Sequence, residues 1–137
     1  MKRPRITWDT KPMRWNFVPR RMMPQVDDCD KTALFEWLTW KGIGITHVTL
    51  DPAKLTFHQH VRALPNHLKK VRYNSPILVS SDGCVIDGNH RAMAHYICGD
   101  HVKATQIDLP FEEAIQAVFS FAGTYDLAQR RKTDGYC

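Results

Sequence analysis

The segment Asp87–Arg91, with the sequence Asp-Gly-Asn-His-Arg, is the feature that most constrains how this chain can fold. An apolar run over 76–86 precedes it, and a short helical pattern over 92–98 follows it and ends at Gly99. A polar turn that contains glycine therefore connects a strand to the start of a helix. Helix N-termini present unpaired N–H groups and the positive end of the helix dipole, so they attract anions. The pattern predicts an anion-binding turn.

The side chains of this turn suggest which anion it binds. Arg91 provides a fork of N–H donors that matches phosphate oxygens. His90 can donate or accept a proton near neutral pH. A purely structural interpretation stays open, in which Asp87 caps the helix, Gly88 makes a tight turn and Arg91 forms a surface ion pair.

Length and composition set the broad class of the protein. A chain of 137 residues predicts one domain, and a hydrophobic content of 43% is enough to build a core. No apolar run approaches the roughly 18 residues of a membrane span. The charged N-terminus leads into no apolar signal segment. These features predict a soluble, cytoplasmic protein without a membrane partner.

The net charge of +5 is unevenly distributed. Residues 1–21 contain seven basic residues and one acidic residue, a net charge of +6, whereas the rest of the chain is close to neutral. Trp8, Trp15 and Phe17 alternate with these cations, a combination that suits a phosphate backbone with stacked bases. The segment is thus a candidate site for DNA or RNA. A solvated tail, or a strand that covers the core with its tryptophans, explains the same residues.

The four cysteines show no C-x-x-C pair and no obvious disulfide or zinc pattern. Cys84 and Cys98 lie in apolar patterns and are predicted to be core thiols. Cys137 is terminal and is predicted to be free.

The remaining patterns predict short, mixed elements. Helices are expected over 31–40, after Arg91 and over about 111–121, and strands over 45–50, 76–79, 84–86 and 102–107. Hairpin turns join several of the strands. The predicted fold class is therefore α+β, with a small mixed β-sheet and surrounding helices. We expect a basic aromatic arm over 1–26, one domain over 27–122 and a polar tail over 123–137.

The order of these elements around the turn resembles the ParB/sulfiredoxin superfamily. The likeness covers roughly residues 45–108, and its most specific part is Asp87–Arg91. Members similar at this motif bind a nucleotide, and they include sulfiredoxins, free-serine kinases and the CTP-hydrolysing domain of ParB. The resemblance implies a ParB/sulfiredoxin-like fold that binds ATP or CTP with Mg²⁺.

The resemblance assigns the turn residues one by one. It makes Gly88, His90 and Arg91 the phosphate-binding turn, and Asp87 matches the aspartate of the kinase-like pattern Asp-Gly-His-His-Arg. Asn89 stands where sulfiredoxins carry their reactive cysteine, so sulfinic-acid reduction is not expected. The cofactor-binding residues are accordingly predicted to be Asp87, Gly88, Asn89, His90 and Arg91.

The chain departs from the kinase-like members in the polar stretch after the first strand. Those members place an acidic residue there as a base, but this chain has no glutamate between Glu36 and Glu112. The candidate bases are His58, His60 and Asp51, and a histidine base is adequate at pH 7. The pair His58 and His60 also resembles metal ligands, but no further ligands follow at metal-like spacing, so no protein metal site is predicted.

Two functions of different classes follow. The first is a nucleotide-binding phosphotransferase or nucleotide hydrolase that transfers a terminal phosphate to a hydroxyl on a small molecule or a nucleic acid, with His90 also in the catalytic set. The second is a non-catalytic, ParB-like DNA-binding protein that uses the basic arm. A nuclease is a weaker alternative, because the sequence offers no acidic cluster for catalytic metals.

Overall fold

The structure, a computed structural model, describes residues 14–16, 18–58 and 75–126. Within these residues the chain forms an α+β fold with strands, α-helices and short 3₁₀ turns. The elements are β1 (Arg14–Trp15), α1 (Lys31–Trp40), β2 (Ile45–Leu50), β3 (Thr56–Phe57), β4 (Ile77–Ser80), β5 (Val85–Asp87), α2 (Asn89–Cys98), β6 (Val102–Ile107) and α3 (Phe111–Phe119).

The main sheet of the described region has the strand order β2-β6-β4-β5. β6 lies inside this sheet, antiparallel to β2 and parallel to β4, and β4 forms a hairpin with β5. The short strands β1 and β3 pair in parallel beside it, and a bridge between Thr56 and Cys84 connects β3 to the β4–β5 hairpin. The predicted mixed sheet is confirmed.

Helices cover both faces of the main sheet because its strands carry apolar residues on both sides. On one face Ile77 and Val79 of β4 pack with Met93 and its neighbours in α2. On the other face Leu78 packs with α1 and α3, among residues that include Leu34. This alternation along one strand is the period of two that strand geometry imposes.

Helix α2 begins earlier than the sequence predicted. Its first residue is Asn89, and it ends before Gly99, which adopts a left-handed conformation with φ of 71°. The sequence pattern placed the helix after Arg91. The first helical turn therefore contains Asn89, His90 and Arg91, which were expected to precede the helix.

The segment predicted as an irregular arm is partly packed into the fold. Met23 and Val26 are buried in the core on the α1 side of the sheet. The backbone of Gln25 pairs with that of Tyr125, which lies in the segment predicted as a tail. The packed region thus extends beyond the expected boundaries of 27 and 122. Residues 1–13, Phe17 and 127–137 lie outside the described residues.

Gly88 occupies a position that no other residue can take without cost. Its φ of 96° and ψ of 29° place it in the left-handed region, which a Cβ disfavours. A Cβ built on Gly88 would lie 2.6 Å from Cγ2 of Ile77, well inside van der Waals contact. Two independent constraints therefore require glycine between β5 and α2.

We expect Gly88→Ala to destabilise the fold by about 2–4 kcal/mol, since left-handed strain adds to the overlap with Ile77. Gly42→Ala is the matched control, because Gly42 has φ of 82° but a Cβ added to it would have no atom of the described residues within 4 Å. The control should cost only about 1–2 kcal/mol. Urea denaturation measures both, and equal losses would contradict the role given to Ile77.

Candidate functional site

The candidate site is built at the end of the sheet where β5 stops and β4 starts. β5 ends at Asp87, the chain turns at Gly88 and α2 begins at Asn89. The N–H of Ala92 bonds to the carbonyl of Gly88 at 2.8 Å and closes the first turn of the helix. The N-cap is a glycine and offers no capping side chain, and the first turn contains no carboxylate. This end of α2 therefore carries the positive end of a helix dipole without a counter-charge in its own first turn.

Arg91 is anchored across the start of β4. Its Nη1 donates a hydrogen bond to the carbonyl oxygen of Pro76 at 3.0 Å. The side chain is half-buried, and Asn89, two residues earlier, is almost fully buried. The guanidinium group thus lies beside the turn in a defined position, with the planar donor fork that suits an oxyanion.

Asp87 forms an ion pair that the sequence did not predict. Nζ of Lys31, the first residue of α1, lies 2.6 Å from Oδ2 of Asp87 and 3.3 Å from Oδ1 of Asp28. The Lys31 side chain is only 14% exposed and that of Asp87 33%, whereas that of Asp28 is 75% exposed. The contact to Asp87 is therefore the stronger of the two. Fifty-six positions separate Lys31 from Asp87, so local sequence patterns carry no signal for this pair.

The face of the sheet that carries Asp87 also carries two other polar side chains, those of His47 and Thr105. In the strand register His47 of β2 lies opposite Thr105 of β6, Thr105 beside Leu78 of β4, and Leu78 opposite Asp87 of β5. Nδ1 of His47 lies 3.2 Å from Oγ1 of the buried Thr105. A register shift in the β4–β5 pair puts Asp87 opposite Leu78 and so turns it toward α1.

A pocket of about 160 Å³ lies between α1 and this face of the sheet. It is lined by Asp28, Lys31, Phe35, Ser75, Pro76, Ile77, Leu78 and Thr105. An open groove along α1 adjoins it at Phe35 and extends to Glu36 and His47. The ion pair of Asp28 and Lys31 at the start of α1 and Pro76, to which Arg91 bonds, thus line the same pocket.

The predicted base residues are only partly within the described region. His58 is buried and directly follows β3. β3 runs parallel to the chain that leads into β5, from the pair Thr56 and Cys84 onward, so His58 and Gly88 lie toward the same end. Oδ1 of Asp51 accepts the N–H of Ala53 at 3.0 Å and caps a 3₁₀ turn. His60 lies outside the described residues, and the half-buried His90 lies in the first turn of α2.

The thiol of Cys84 is not activated. Burial and the negative charge of Asp82 raise the pKa of the Cys84 thiol, so it stays protonated at neutral pH. Cys84 and Cys98 are free thiols and half-buried. Cys29 is part of a disulfide, which the cysteine spacing did not indicate. Cys137 lies outside the described residues.

Two features that would indicate other kinds of site are absent from the described residues. No group of three or more His, Cys, Asp or Glu side chains is arranged to hold a metal ion there. No helix in that part of the chain has the length and apolar character needed to cross a membrane.

Comparisons with known proteins identify no relative, because no family model, no curated protein and no solved structure matches this chain.

We expect Lys31→Met to destabilise the protein by about 1–2 kcal/mol, because it leaves the half-buried Asp87 carboxylate without its cationic partner. Lys103→Met, at an exposed position on β6, should change stability by less than about 0.5 kcal/mol. Asp28→Asn removes only the exposed partner and should also have little effect. Urea denaturation measures the free energy of unfolding of the three variants. If Asp28→Asn lowers it as much as Lys31→Met does, the ranking of the two contacts is wrong.

Proposed function

We propose that this chain has a ParB/sulfiredoxin-like fold and is a nucleotide-binding phosphotransferase or nucleotide hydrolase. It would bind ATP or CTP and transfer the terminal phosphate to water or to a hydroxyl on a small molecule or nucleic acid. The observation that carries this proposal is the start of α2 at Gly88, a backbone N–H-rich turn with an anchored arginine beside it. The resemblance of Asp87–Arg91 to the phosphate turn of that superfamily supports the same assignment.

Each residue of the turn has a role in this proposal. Gly88 adopts the left-handed conformation from which α2 starts, and the first turn of α2 directs N–H groups toward the phosphates. Arg91 contributes charge-assisted hydrogen bonds to the phosphate oxygens. His90, in the same turn, donates or accepts a proton at a phosphate oxygen. Asn89, in the same turn, is buried.

Asp87 is the residue of the turn that suits Mg²⁺. Magnesium is commonly held by one or two carboxylates together with substrate phosphates and waters. The ammonium group of Lys31 lies 2.6 Å from Oδ2 of Asp87 and disfavours a second cation held by that carboxylate alone, so the proposal takes Mg²⁺ as an ion delivered on the nucleotide. Such an ion would offset the phosphate charge.

His58 is the best of the three candidate bases. It is buried, and β3 carries it toward the end of the sheet where α2 begins. The carboxylate of Asp51 already caps a 3₁₀ turn, a contact that suits a structural role. An imidazole can accept the proton of an attacking hydroxyl at pH 7.

Nucleotide affinity should depend on Arg91. A charge-assisted contact to phosphate is worth roughly 1.5–3 kcal/mol, so Arg91→Ala should weaken ATP or CTP binding about tenfold or more in calorimetry. Arg21→Ala, at an exposed arginine remote in sequence from the turn, is the matched control and should bind like the original protein. Thermal melts confirm that both variants fold. Unchanged binding by Arg91→Ala would remove the phosphate-site assignment.

A non-catalytic DNA-binding protein is the second candidate, favoured by the +6 charge of residues 1–21. The described part of this segment pairs with β3. Arg14 lies opposite Thr56, and the N–H of Asn16 bonds to the carbonyl of Phe57 at 3.0 Å. Arg14 is exposed there. This pairing places the end of the basic segment next to β3, the strand directly before His58.

Deletion of residues 1–7 tests the nucleic-acid partner. The deletion removes Lys2, Arg3 and Arg5 but keeps the tryptophans. It should lower both DNA or RNA affinity and the dependence of that affinity on salt, because each neutralised phosphate releases counterions. Salt titrations with single- and double-stranded oligonucleotides measure both quantities. If the undeleted protein binds neither oligonucleotide at low salt, the basic segment does not bind nucleic acid.

A further inference from the structure

Two residues that line the pocket on the α1 side of the sheet contact residues of the turn around Gly88. Pro76 lines the pocket, and its carbonyl oxygen accepts the hydrogen bond from Arg91. Lys31 lines the pocket too, and its ammonium group contacts Asp87, the residue before Gly88. The pocket and the turn are therefore adjacent, linked by the Lys31–Asp87 and Arg91–Pro76 contacts.

The charges of the pocket do not favour a second phosphate there. The single ammonium group of Lys31 faces the carboxylates of both Asp28 and Asp87. Its positive charge is already matched, so the pocket has no excess of positive charge for an anion. The start of α2, in contrast, has a positive potential from the helix dipole and from Arg91. The two halves of the region thus suit two different chemical groups.

The size and lining of the pocket suit a flat aromatic ring. Its volume is about 160 Å³, and cavities of about 150 Å³ hold one benzene-sized ring. The apolar surface comes from Phe35, Pro76, Ile77 and Leu78, and a few polar side chains complete the lining. Small-molecule sites commonly combine apolar walls with a few placed polar groups.

We propose that this pocket binds the base of the nucleotide whose phosphates lie at the Gly88 turn; the inference rests on the proposed function. A nucleobase presents both donors and acceptors on its edge. Lys31 can donate to it, the carboxylate of Asp28 can accept from it, and the hydroxyl of Thr105 can do either. His47, 3.2 Å from that hydroxyl, orients it. The base stacks on Phe35.

The decisive experiment compares ligands that share phosphates but differ in the base. ATP, CTP, GTP and UTP are titrated by calorimetry, and inorganic tripolyphosphate serves as the ligand without a base. Thr105→Val removes the hydroxyl at nearly constant volume, and Thr49→Val makes the same change at an exposed position on β2. Phe35→Leu tests the stacking surface separately. Thermal melts establish that each variant is folded.

We expect Thr105→Val and Phe35→Leu each to weaken the preferred nucleotide about three- to tenfold. Tripolyphosphate affinity should stay within about twofold, and Thr49→Val should match the original protein for every ligand. Arg91→Ala, in contrast, should weaken nucleotides and tripolyphosphate alike.

Other results overturn the inference in distinguishable ways. If neither pocket variant changes nucleotide affinity while Arg91→Ala does, the base lies elsewhere and the proposed function stands. If the pocket variants weaken tripolyphosphate as much as nucleotides, the pocket contacts phosphate and not the base. If the original protein binds neither nucleotides nor tripolyphosphate, the proposed function fails and the base pocket fails with it.

Discussion

The close approach of Gly88 to Ile77 is the constraint on which the rest of the structure depends. A single residue with φ of 96° ends β5 and starts α2, and its missing Cβ leaves room for Cγ2 of Ile77 on β4. The same contact fixes where α2 leaves the sheet. Because Arg91 lies in the first turn of that helix and bonds to Pro76, the position of its guanidinium group follows from the packing at Gly88.

The region beside this contact has two chemically different sides. On the α2 side, a helix start and an arginine provide positive potential. On the α1 side, Lys31 is paired with Asp87, and the remaining surface is mostly apolar and includes Thr105. This division follows from the register shift in the β4–β5 pair, which turns Asp87 toward α1. We propose that the anionic end of a nucleotide lies on the α2 side and its flat neutral base on the α1 side.

The segment around Gln25 and the segment around Tyr125 contact each other in the folded chain. The backbones of Gln25 and Tyr125 pair, and the hydroxyl of Tyr125 donates to Oδ1 of Asp27 at 2.8 Å. Met23 is fully buried next to these contacts. Composition suggested an arm and a tail because the first segment is rich in Pro, Arg, Met and Trp and the last is mostly polar. Composition cannot reveal that Met23 and Val26 of the predicted arm belong to the core.

Much of the fold was predictable from local patterns. Local patterns mark three of the elements: helical spacing in α1, a β-branched run in β2 and alternation in β6. Their predicted bounds of 31–40, 45–50 and 102–107 agree with the structure. The start of α2 was predicted too late. Polar residues such as Asn89 look like loop residues in sequence, whereas Asn89 is buried in the folded chain.

The sequence by itself determined the strand–turn–helix unit around Gly88, because glycine, the polar turn and the flanking periods are all local properties of adjacent residues. The resemblance that suggests a phosphate turn has the same local basis. Only the tertiary structure brought Lys31 to Asp87, placed His47 beside Thr105 and opened a pocket against Phe35. These contacts join residues that are far apart in the chain. Strand order, register and helix packing decide them, and no pattern of neighbouring residues encodes such distances.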